Sequence, residues 1–314
     1  MNDAIQRACD RFLENRQMIE QTLHTREHSI TGLYAVRFLD MLVLDEELLK
    51  ESKRILKHET GIFSGFRGYA QNACILALAA SETPESHMDA AKHAYDIMKK
   101  AYGRNSHTAL AAMQLADQIQ SWQMEDMVQE SKQIFKQIKR ENPMRFSLSD
   151  GPSFLYPLVG LGSKETALER IRTQYQILGE LFSKGEGGRG AALVLSLSEE
   201  PAGQTAQRLR SLYDLLRQRG LHYSKHEEIS ALALLVQCGQ NPQTLEAAIE
   251  EVHQYLVAHK YKSWDMSKKT GLMHAALIAA AALGAPELPL ELCLQILIRQ
   301  IVRNKEAATA AATS

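Results

Sequence analysis

Residues 272–283 read LMHAALIAAAAL, the most hydrophobic stretch of the 314-residue chain. A helix of this length spans about 18 Å, which is too short to cross a bilayer, and His274 lies within it. A helix that is apolar on almost every face is covered by neighbouring elements on most sides. The stretch therefore predicts a short helix buried inside a helical protein.

Similar apolar segments recur about 40 residues apart. They are Leu33–Leu42, Ala73–Ala80, Ala109–Ala116, Phe154–Leu161, Ala191–Leu197, Ile229–Val236 and Leu272–Leu283. An amphipathic segment follows each one, and its helix-start signals are Asp45, Thr83–Pro84, Ser121, Ser163, Glu200–Pro201, Asn241–Pro242 and Ala285–Pro286. The alternation predicts pairs of helices, one buried and one more exposed. We expect close helix contacts at Ala77, Ala111, Ala233 and Ala276.

This spacing predicts an all-α fold, an array of about seven helical hairpins of about 40 residues. Two arrangements satisfy it: an open α-α superhelix (a solenoid), which we favour, and a closed α/α toroid. Contact between the first and last hairpins would indicate closure, which would strengthen the case for an enzyme. The stretch 142–157 is rich in Pro, Gly and Ser and is a candidate hinge, but hydrophobic periodicity resumes on both sides. We predict one helical-repeat domain over residues 1–306 and a frayed tail at 307–314.

Composition argues against several partner classes. A formal net charge of −1 provides no basic excess for the phosphates of a nucleic acid, and no segment has the length of a membrane span. Charged residues precede any apolar run at the N-terminus, so no signal peptide is recognised. The four cysteines are scattered without a C-x-x-C pair, which is typical of reduced thiols. We expect a cytoplasmic protein with neither a nucleic-acid nor a membrane partner.

Four segments resemble a known family: LKHETGIFSGFRGYAQNACILAL (56–78), FSLSDGPSFLYPLVGLGS (146–163), RSLYDLLRQRGLHYSKHEEISALALLV (210–236) and HKYKSWDMSKKTGLMHAALIAA (259–280). From about Ile30 to about Leu283 the chain is similar to an uncharacterised bacterial family of about 300 residues, a domain of unknown function. The landmarks are Asp150 before an apolar run and Leu-Tyr-x-Leu-Leu at Leu212–Leu216. The resemblance implies an all-helical protein and supplies no catalytic residues.

A glycine pattern matches the dinucleotide fingerprint only in spacing. Gly185, Gly187 and Gly190 satisfy G-x-G-x-x-G, but a helical segment at 167–182 precedes them where the fingerprint needs a strand. We therefore interpret these glycines as part of a connection between helices and predict no cofactor.

Two histidine pairs have the spacing of metal ligands on one helix, His24/His28 and His222/His226. Neither pair is accompanied by a third ligand in a recognisable motif, so no metal site is predicted. Local signatures of serine or cysteine nucleophiles are also absent. Catalytic residues distant in sequence would not produce such signatures.

The loops that lead into the buried helices carry polar side chains at corresponding places. In a hairpin array these loops emerge on one edge and share a rim. Asp150, Lys225 and Asp265 lie there, and the candidate binding residues are Arg26, His28, Arg67, Arg104, His107, Arg189 and His226. Arginine presents a fork of donors that suits anionic or hydrogen-bonding partners.

Two hypotheses of function follow. We favour a non-enzymatic helical-repeat protein that binds a protein or peptide partner along this polar loop edge. The alternative is an α/α-toroid enzyme, a hydrolase or lyase, with a polar pocket at the mouth of the inner helices and catalytic residues among His107, His226, Asp150 and Asp265. The apolar stripe of residues 290–302 fits two further uses, a cap on the array or a surface for a homo-oligomer.

Overall fold

The computed structural model describes residues 2–25, 27–39, 44–141, 146–182, 187–223, 228–259, 261 and 268–313. No strand occurs among them, which confirms the predicted all-α class. Their α-helices are α1 (Asp3–Leu23), α2 (His28–Arg37), α3 (Glu46–Glu59), α4 (Gln71–Ala79), α5 (Pro84–Tyr102), α6 (Ser106–Leu115), α7 (Met124–Glu141), α8 (Leu155–Leu161), α9 (Lys164–Phe182), α10 (Gly187–Ser196), α11 (Ala202–Gln218), α12 (Glu228–Leu235), α13 (Pro242–Ala258), α14 (Lys268–Ala282) and α15 (Glu287–Thr313). Short 3-10 helices lie at Gly65–Arg67, Leu148–Phe154 and Val236–Cys238.

Side-chain caps explain where several helices begin. Asp45 Oδ1 accepts the Leu48 N–H at 2.6 Å, and Asn241 Oδ1 accepts the Thr244 N–H at 2.9 Å. Each bond satisfies one of the free N–H groups of a first helical turn. The start predicted at Ser121 is less accurate, because α7 begins a few residues later.

Seven hairpins account for the first fourteen helices. Each odd-numbered helix from α1 to α13, here called an outer helix, contacts the even-numbered inner helix that follows it. The inner helices α4, α6 and α12 are buried along almost their whole length, as their apolar sequences predict. The hairpins begin with the outer helix, since α1 pairs with α2.

Contacts between neighbouring hairpins form a closed series. Each outer helix contacts the next outer helix, and α13 contacts α1. Along the inner layer the contacts run from α2 to α14 by way of the 3-10 helix Leu148–Phe154, and α14 contacts α2. An open superhelix keeps its first and last hairpins apart. These contacts favour the toroid over the open superhelix.

A recurring bond ties the outer helix to the end of its inner helix. An arginine of the outer helix donates to a carbonyl 28 residues later, just after the inner helix ends: Arg11 to Leu39, Arg170 to Ser198 and Arg208 to Val236. A cation here complements the negative end of the helix dipole. The bond is therefore a structural mark of the repeat that the apolar pattern does not reveal.

The last helix, α15, lies among the inner helices. It contacts α2, α6, α8, α10 and α12, and residues 289–299 are all buried. It runs antiparallel to α2, because Glu291 pairs with Arg37 at the end of α2 and Lys305 pairs with Glu27 just before α2. The prediction of an amphipathic outer helix was wrong here. The homo-oligomer surface proposed at 290–302 is also wrong, because the chain itself covers this apolar stripe.

Small residues allow the inner helices to approach closely. Ala77, Ala111, Ala233 and Ala276 are buried as predicted. A Cβ added at Gly190 would overlap the Ser230 hydroxyl, so this member of the G-x-G-x-x-G match serves the packing of α10 against α12.

The remaining regions of interest are the candidate hinge, the tail and the apolar helices. Residues 142–145 lie outside the described chain, and 146–157 include the 3-10 helix Leu148–Phe154 and the start of α8. The segment expected to fray from 307 is helical to Thr313, with exposed side chains at 307–311. Among the described helices, none combines the length and the apolar character needed to cross a bilayer.

Candidate functional site

A row of polar side chains on α15 faces the interior. Glu291, Gln295 and Arg299 follow one another at every fourth position and are all buried. A buried charge is costly unless it is paired and hydrogen-bonded. The partners of this row come from the inner helices and form two polar clusters, one at each end.

The first cluster surrounds Arg299, whose Nη1 is bonded while its buried Nε has no partner among the described residues. Arg299 Nη1 lies 3.0 Å from Asp150 Oδ1 and 3.1 Å from Ser153 Oγ. Asp150 Oδ2 also accepts the Ser147 backbone N–H at 2.6 Å, which caps the 3-10 helix Leu148–Phe154. Both oxygens of this candidate catalytic carboxylate are thus engaged, and Asp150 is buried instead of lying on an exposed rim.

His107 lies beside this cluster at the start of α6 and is 3% exposed. Burial, together with the charges of Arg299 and Arg303, lowers the pKa of His107 from 6.5 to about 4, and Asp150 acts in the opposite direction. Nε2 lies 3.9 Å from Glu306 Oε2, whereas Nδ1 is buried and unpartnered in the described chain. The structure therefore brings His107 near Asp150 and places it beneath α15, so this candidate residue is buried and does not lie on an exposed rim.

The second cluster surrounds Glu291 at the other end of the polar row. Glu291 Oε1 is paired with Nε of Arg37, and Oε2 accepts the Gln114 amide N–H at 3.1 Å. Gln114 Oε1 accepts the Tyr156 hydroxyl at 2.9 Å, and Arg37 also pairs with Glu287 at 2.8 Å. Burial raises the pKa of Glu291, although Arg37 and Gln114 act in the opposite direction. The Arg37 guanidinium is therefore shared between two carboxylates, those of Glu291 and Glu287.

A pocket of about 70 Å³ adjoins this cluster and is here called the Glu291 pocket. Its polar lining includes Tyr34, Arg37, Gln114 and Glu291, and its apolar lining includes Ala77, Ala80 and Met113. Tyr34 is 1% exposed, and its hydroxyl has no hydrogen-bond partner among the described residues. The pocket therefore combines a buried acid with a buried hydroxyl that nothing in the described chain satisfies.

A histidine and an aspartate also line the Glu291 pocket. His87 Nδ1 is paired with Asp117 Oδ2, and His87 Nε2 lies 2.7 Å from the Met113 carbonyl. Both ring nitrogens face acceptors, so this ring ties α5 to the end of α6 and has no nitrogen left for proton transfer to a ligand.

Two of the loops that precede inner helices contact the C-terminal part of α15. Lys305 pairs with Glu27, and Thr309 Oγ1 lies 3.0 Å from the Tyr69 hydroxyl. Near the start of α10, the Arg189 guanidinium lies 5.6 Å from the centroid of the Phe146 ring. We use the name loop edge for residues 27–28, 60–70, 103–105, 146–148 and 188–189.

The candidate binding residues on the loop edge differ in exposure. Arg104 is exposed, whereas Arg67 and Arg189 are partly buried, and Arg67 donates to the Thr60 carbonyl at 3.1 Å. His28 Nδ1 lies 2.6 Å from Glu20 Oε1, which ties this ring to α1. The candidates Arg26, Lys225, His226 and Asp265 lie outside the described residues.

Exposed apolar side chains are concentrated on the loop edge. Of the six large ones in the described chain, four lie there, namely Ile62 (75% exposed), Phe63 (fully exposed), Tyr69 (40%) and Leu148 (53%). Trp122 and Val257 are elsewhere. Contiguous exposed apolar groups are typical of interaction surfaces, whereas single ones are ordinary.

Metal and thiol chemistry find little support in the described part of the chain. No group of three or more His, Cys, Asp or Glu residues there could hold a metal ion. The cysteines are unpaired, and burial raises the pKa of Cys9 and of Cys238 to about 12. Such thiols are poor nucleophiles.

Sequence reasoning missed the Glu291 pocket entirely. Tyr34, Gln114 and Glu291 come from three helices that are distant in the chain. The only available signal was the polar row on α15, because a glutamate, a glutamine and an arginine recur at four-residue spacing within an otherwise apolar helix.

Comparison with known proteins identifies a family to which no activity is assigned. The family described as "Protein of unknown function (DUF4003)" matches residues 20–307. No curated protein matches the chain, and no solved structure does.

Proposed function

We propose that this chain, which belongs to the DUF4003 family of unknown function, is a non-enzymatic protein that binds a protein or peptide partner through its loop edge. The observation that carries the proposal is the exposure of Ile62 and Phe63 on one loop, with Tyr69 nearby. Exposed aromatic and aliphatic groups are costly in water and form the buried centre of protein interfaces.

The charges on the loop edge suggest the chemistry of the partner. Arg67 follows Phe63 on the same loop, and the exposed Arg104 lies on the next one. Aromatic residues and arginine are the residue types that contribute most binding energy at interfaces. The partner surface should therefore present apolar groups flanked by carboxylates.

The position of α15 favours partner binding over catalysis in a pocket where the inner helices begin. A toroid enzyme needs an open polar pocket where the inner helices begin. In this chain α15 fills that position, pairs with Asp150 through Arg299 and covers His107. Both described catalytic candidates are therefore inside the packed structure.

A matched pair of variants tests the proposal. Ile62→Ala/Phe63→Ala removes the apolar loop, whereas Trp122→Ala removes an equally exposed aromatic from the connection between α6 and α7. We expect partners cross-linked in cells to be recovered with the parent and with Trp122→Ala, and to be lost with the double variant. An interface centre lost in this way weakens binding by about thirtyfold or more. Equal recovery with all three proteins would refute a role for the loop edge.

A further inference from the structure

The Glu291 pocket lies at the opposite end of α15 from the loop edge, and partner binding as proposed above does not use it. Its volume of about 70 Å³ is roughly half that of a cavity that accommodates benzene. A ligand that fills it therefore has about two to four non-hydrogen atoms. The pocket suits a small ion or a short functional group.

The polar groups of the pocket have unused hydrogen-bonding capacity. The Tyr34 hydroxyl is unpartnered in the described chain although the side chain is almost fully buried. Each oxygen of Glu291 accepts one described hydrogen bond, from Arg37 or from Gln114, which leaves further lone pairs. A buried polar group without a partner costs free energy. A ligand that donates hydrogen bonds could use the remaining lone pairs of Glu291 and the oxygen of the Tyr34 hydroxyl.

The charge balance favours a cationic donor. Arg37 lines the pocket with Glu291 but is shared with Glu287, which is exposed and lies outside the lining, so the guanidinium does not serve Glu291 alone. Asp117 brings a further carboxylate to the lining, where it is paired with His87. An anion placed in the pocket would face the Glu291 carboxylate, whereas a cation would be attracted to it.

The apolar part of the lining limits the shape of the ligand. Ala77, Ala80 and Met113 present methyl and thioether surface to the same small volume. A bare ammonium ion would leave this surface unfilled, while a short alkyl group would cover it.

We propose that the Glu291 pocket binds a small primary alkylammonium ion, whose N–H groups donate to the Glu291 carboxylate and the Tyr34 hydroxyl oxygen while its alkyl group contacts Ala77, Ala80 and Met113. The site is non-covalent and independent of the loop edge. It therefore remains testable whatever the outcome of the partner experiment.

Methylammonium chloride is a suitable probe, with potassium chloride at equal ionic strength and sodium acetate as controls. We expect methylammonium to raise the melting temperature of the full chain and to give a saturable signal in titration calorimetry. Potassium chloride and acetate should give neither. A shift produced by acetate but not by methylammonium would overturn the proposal, as would the absence of any methylammonium effect on the parent.

Two variants locate the site. Tyr34→Phe removes the unpartnered hydroxyl, so it should melt at or above the parent temperature and bind methylammonium about tenfold more weakly. Glu291→Gln keeps the shape but removes the charge, and it should abolish the calorimetric signal. Should Glu291→Gln fail to fold, Tyr34→Phe decides alone.

The matched control for the tyrosine is Tyr102→Phe. Tyr102 is equally buried, but its hydroxyl donates to Ser131 at 2.8 Å, and it does not line the pocket. This variant should lose stability and retain methylammonium affinity, the reverse of Tyr34→Phe. Equal affinity in Tyr34→Phe and in the parent would refute the assigned contacts.

Discussion

Each end of the polar row on α15 pairs a buried carboxylate with an arginine, but the two carboxylates differ in how completely the fold satisfies them. At one end Asp150 receives bonds from Arg299 and from the Ser147 backbone N–H, and Ser153 contacts the same guanidinium. At the other end Glu291 has Gln114 and a guanidinium that Glu287 shares. Only the second carboxylate lies beside a described pocket.

The difference shows how a structural ion pair can be distinguished from a binding group. A buried carboxylate held by a backbone cap and a dedicated guanidinium has its interactions supplied by the fold. A carboxylate with a shared partner, next to open volume and an unpartnered hydroxyl, has capacity that the fold does not use. We therefore assign the Arg299 cluster to stability and the Glu291 pocket to ligand binding.

The largest expected effect is the loss of the Arg299 ion pair. Arg299→Ala leaves Asp150 as a buried carboxylate without its guanidinium, and we expect a loss of about 3–5 kcal/mol in the free energy of unfolding. Equilibrium denaturation in urea measures it. The double variant Asp150→Asn/Arg299→Met, which removes both charges, should recover a large part of the loss.

Urea denaturation of a variant at the Glu291 end of the row extends the comparison. Glu291→Gln leaves Arg37 paired with Glu287, so its cost should be about 1 kcal/mol or less. If Glu291→Gln destabilises the protein as much as Arg299→Ala does, the distinction between the two clusters is incorrect.

The second prediction concerns the acid response of the Arg299 end. Because the folded pKa of His107 is about 4 and its ordinary value is 6.5, the unfolded chain binds more protons between these pH values. The contribution of the neutral His107 to the free energy of unfolding is fully present above pH 6.5. It is lost as the pH is lowered toward 4, by up to about 3 kcal/mol. His274, whose pKa burial lowers to about 3, adds a loss of the same sign.

The variant His107→Gln isolates the contribution of one histidine. The free energy of unfolding should depend less steeply on pH between 6.5 and 4 in this variant than in the parent. His222→Gln, which changes an exposed histidine, serves as the control and should keep the parent slope. Parallel profiles for the parent and His107→Gln would contradict a buried neutral His107.

The inner helices could be predicted from the sequence, whereas the place of α15 could not. Small apolar residues recurring about every 40 residues require burial on most faces, and the structure confirms buried helices such as α4, α6 and α12. On α15 the apolar stripe of residues 290–302 was recognised, but the stripe did not show that Arg299 is buried. Its partner Asp150 lies 149 positions earlier in the chain, and periodicity carries no information about such a pair.

The candidate site was predicted only in part, for a similar reason. Loop position predicted that Arg67 and Arg104 lie in equivalent connections, and in the structure each precedes an inner helix of consecutive hairpins. It also placed His107 among the loop residues, whereas the structure buries this side chain beneath α15. Tyr34 gave no signal, because a tyrosine within an apolar helix is usually core and its missing hydrogen bond is a property of the packed structure.

The third prediction tests the open volume beside Glu291. Ala276→Leu inserts three carbon atoms at a position that is 0% exposed, and overpacking should cost about 1–3 kcal/mol. Ala77→Leu inserts the same group next to the Glu291 pocket, where the new side chain has room, so its cost should be clearly smaller. Urea denaturation compares the two variants, and equal costs would mean that the pocket is not open to a side chain of this size.

The smallest effect is expected at the loop edge, whose three arginines are exposed or only partly buried. Arg67→Ala/Arg104→Ala/Arg189→Ala removes one exposed and two partly buried guanidinium groups. Exposed ion pairs contribute about 0–1 kcal/mol, so the triple variant should unfold within about 1 kcal/mol of the parent while losing the partners that the parent retains. Losing a few kcal/mol would show that these arginines support the fold, as Arg299 does. Unchanged stability with unchanged partners would leave the apolar loop around Phe63 as the whole of the binding surface.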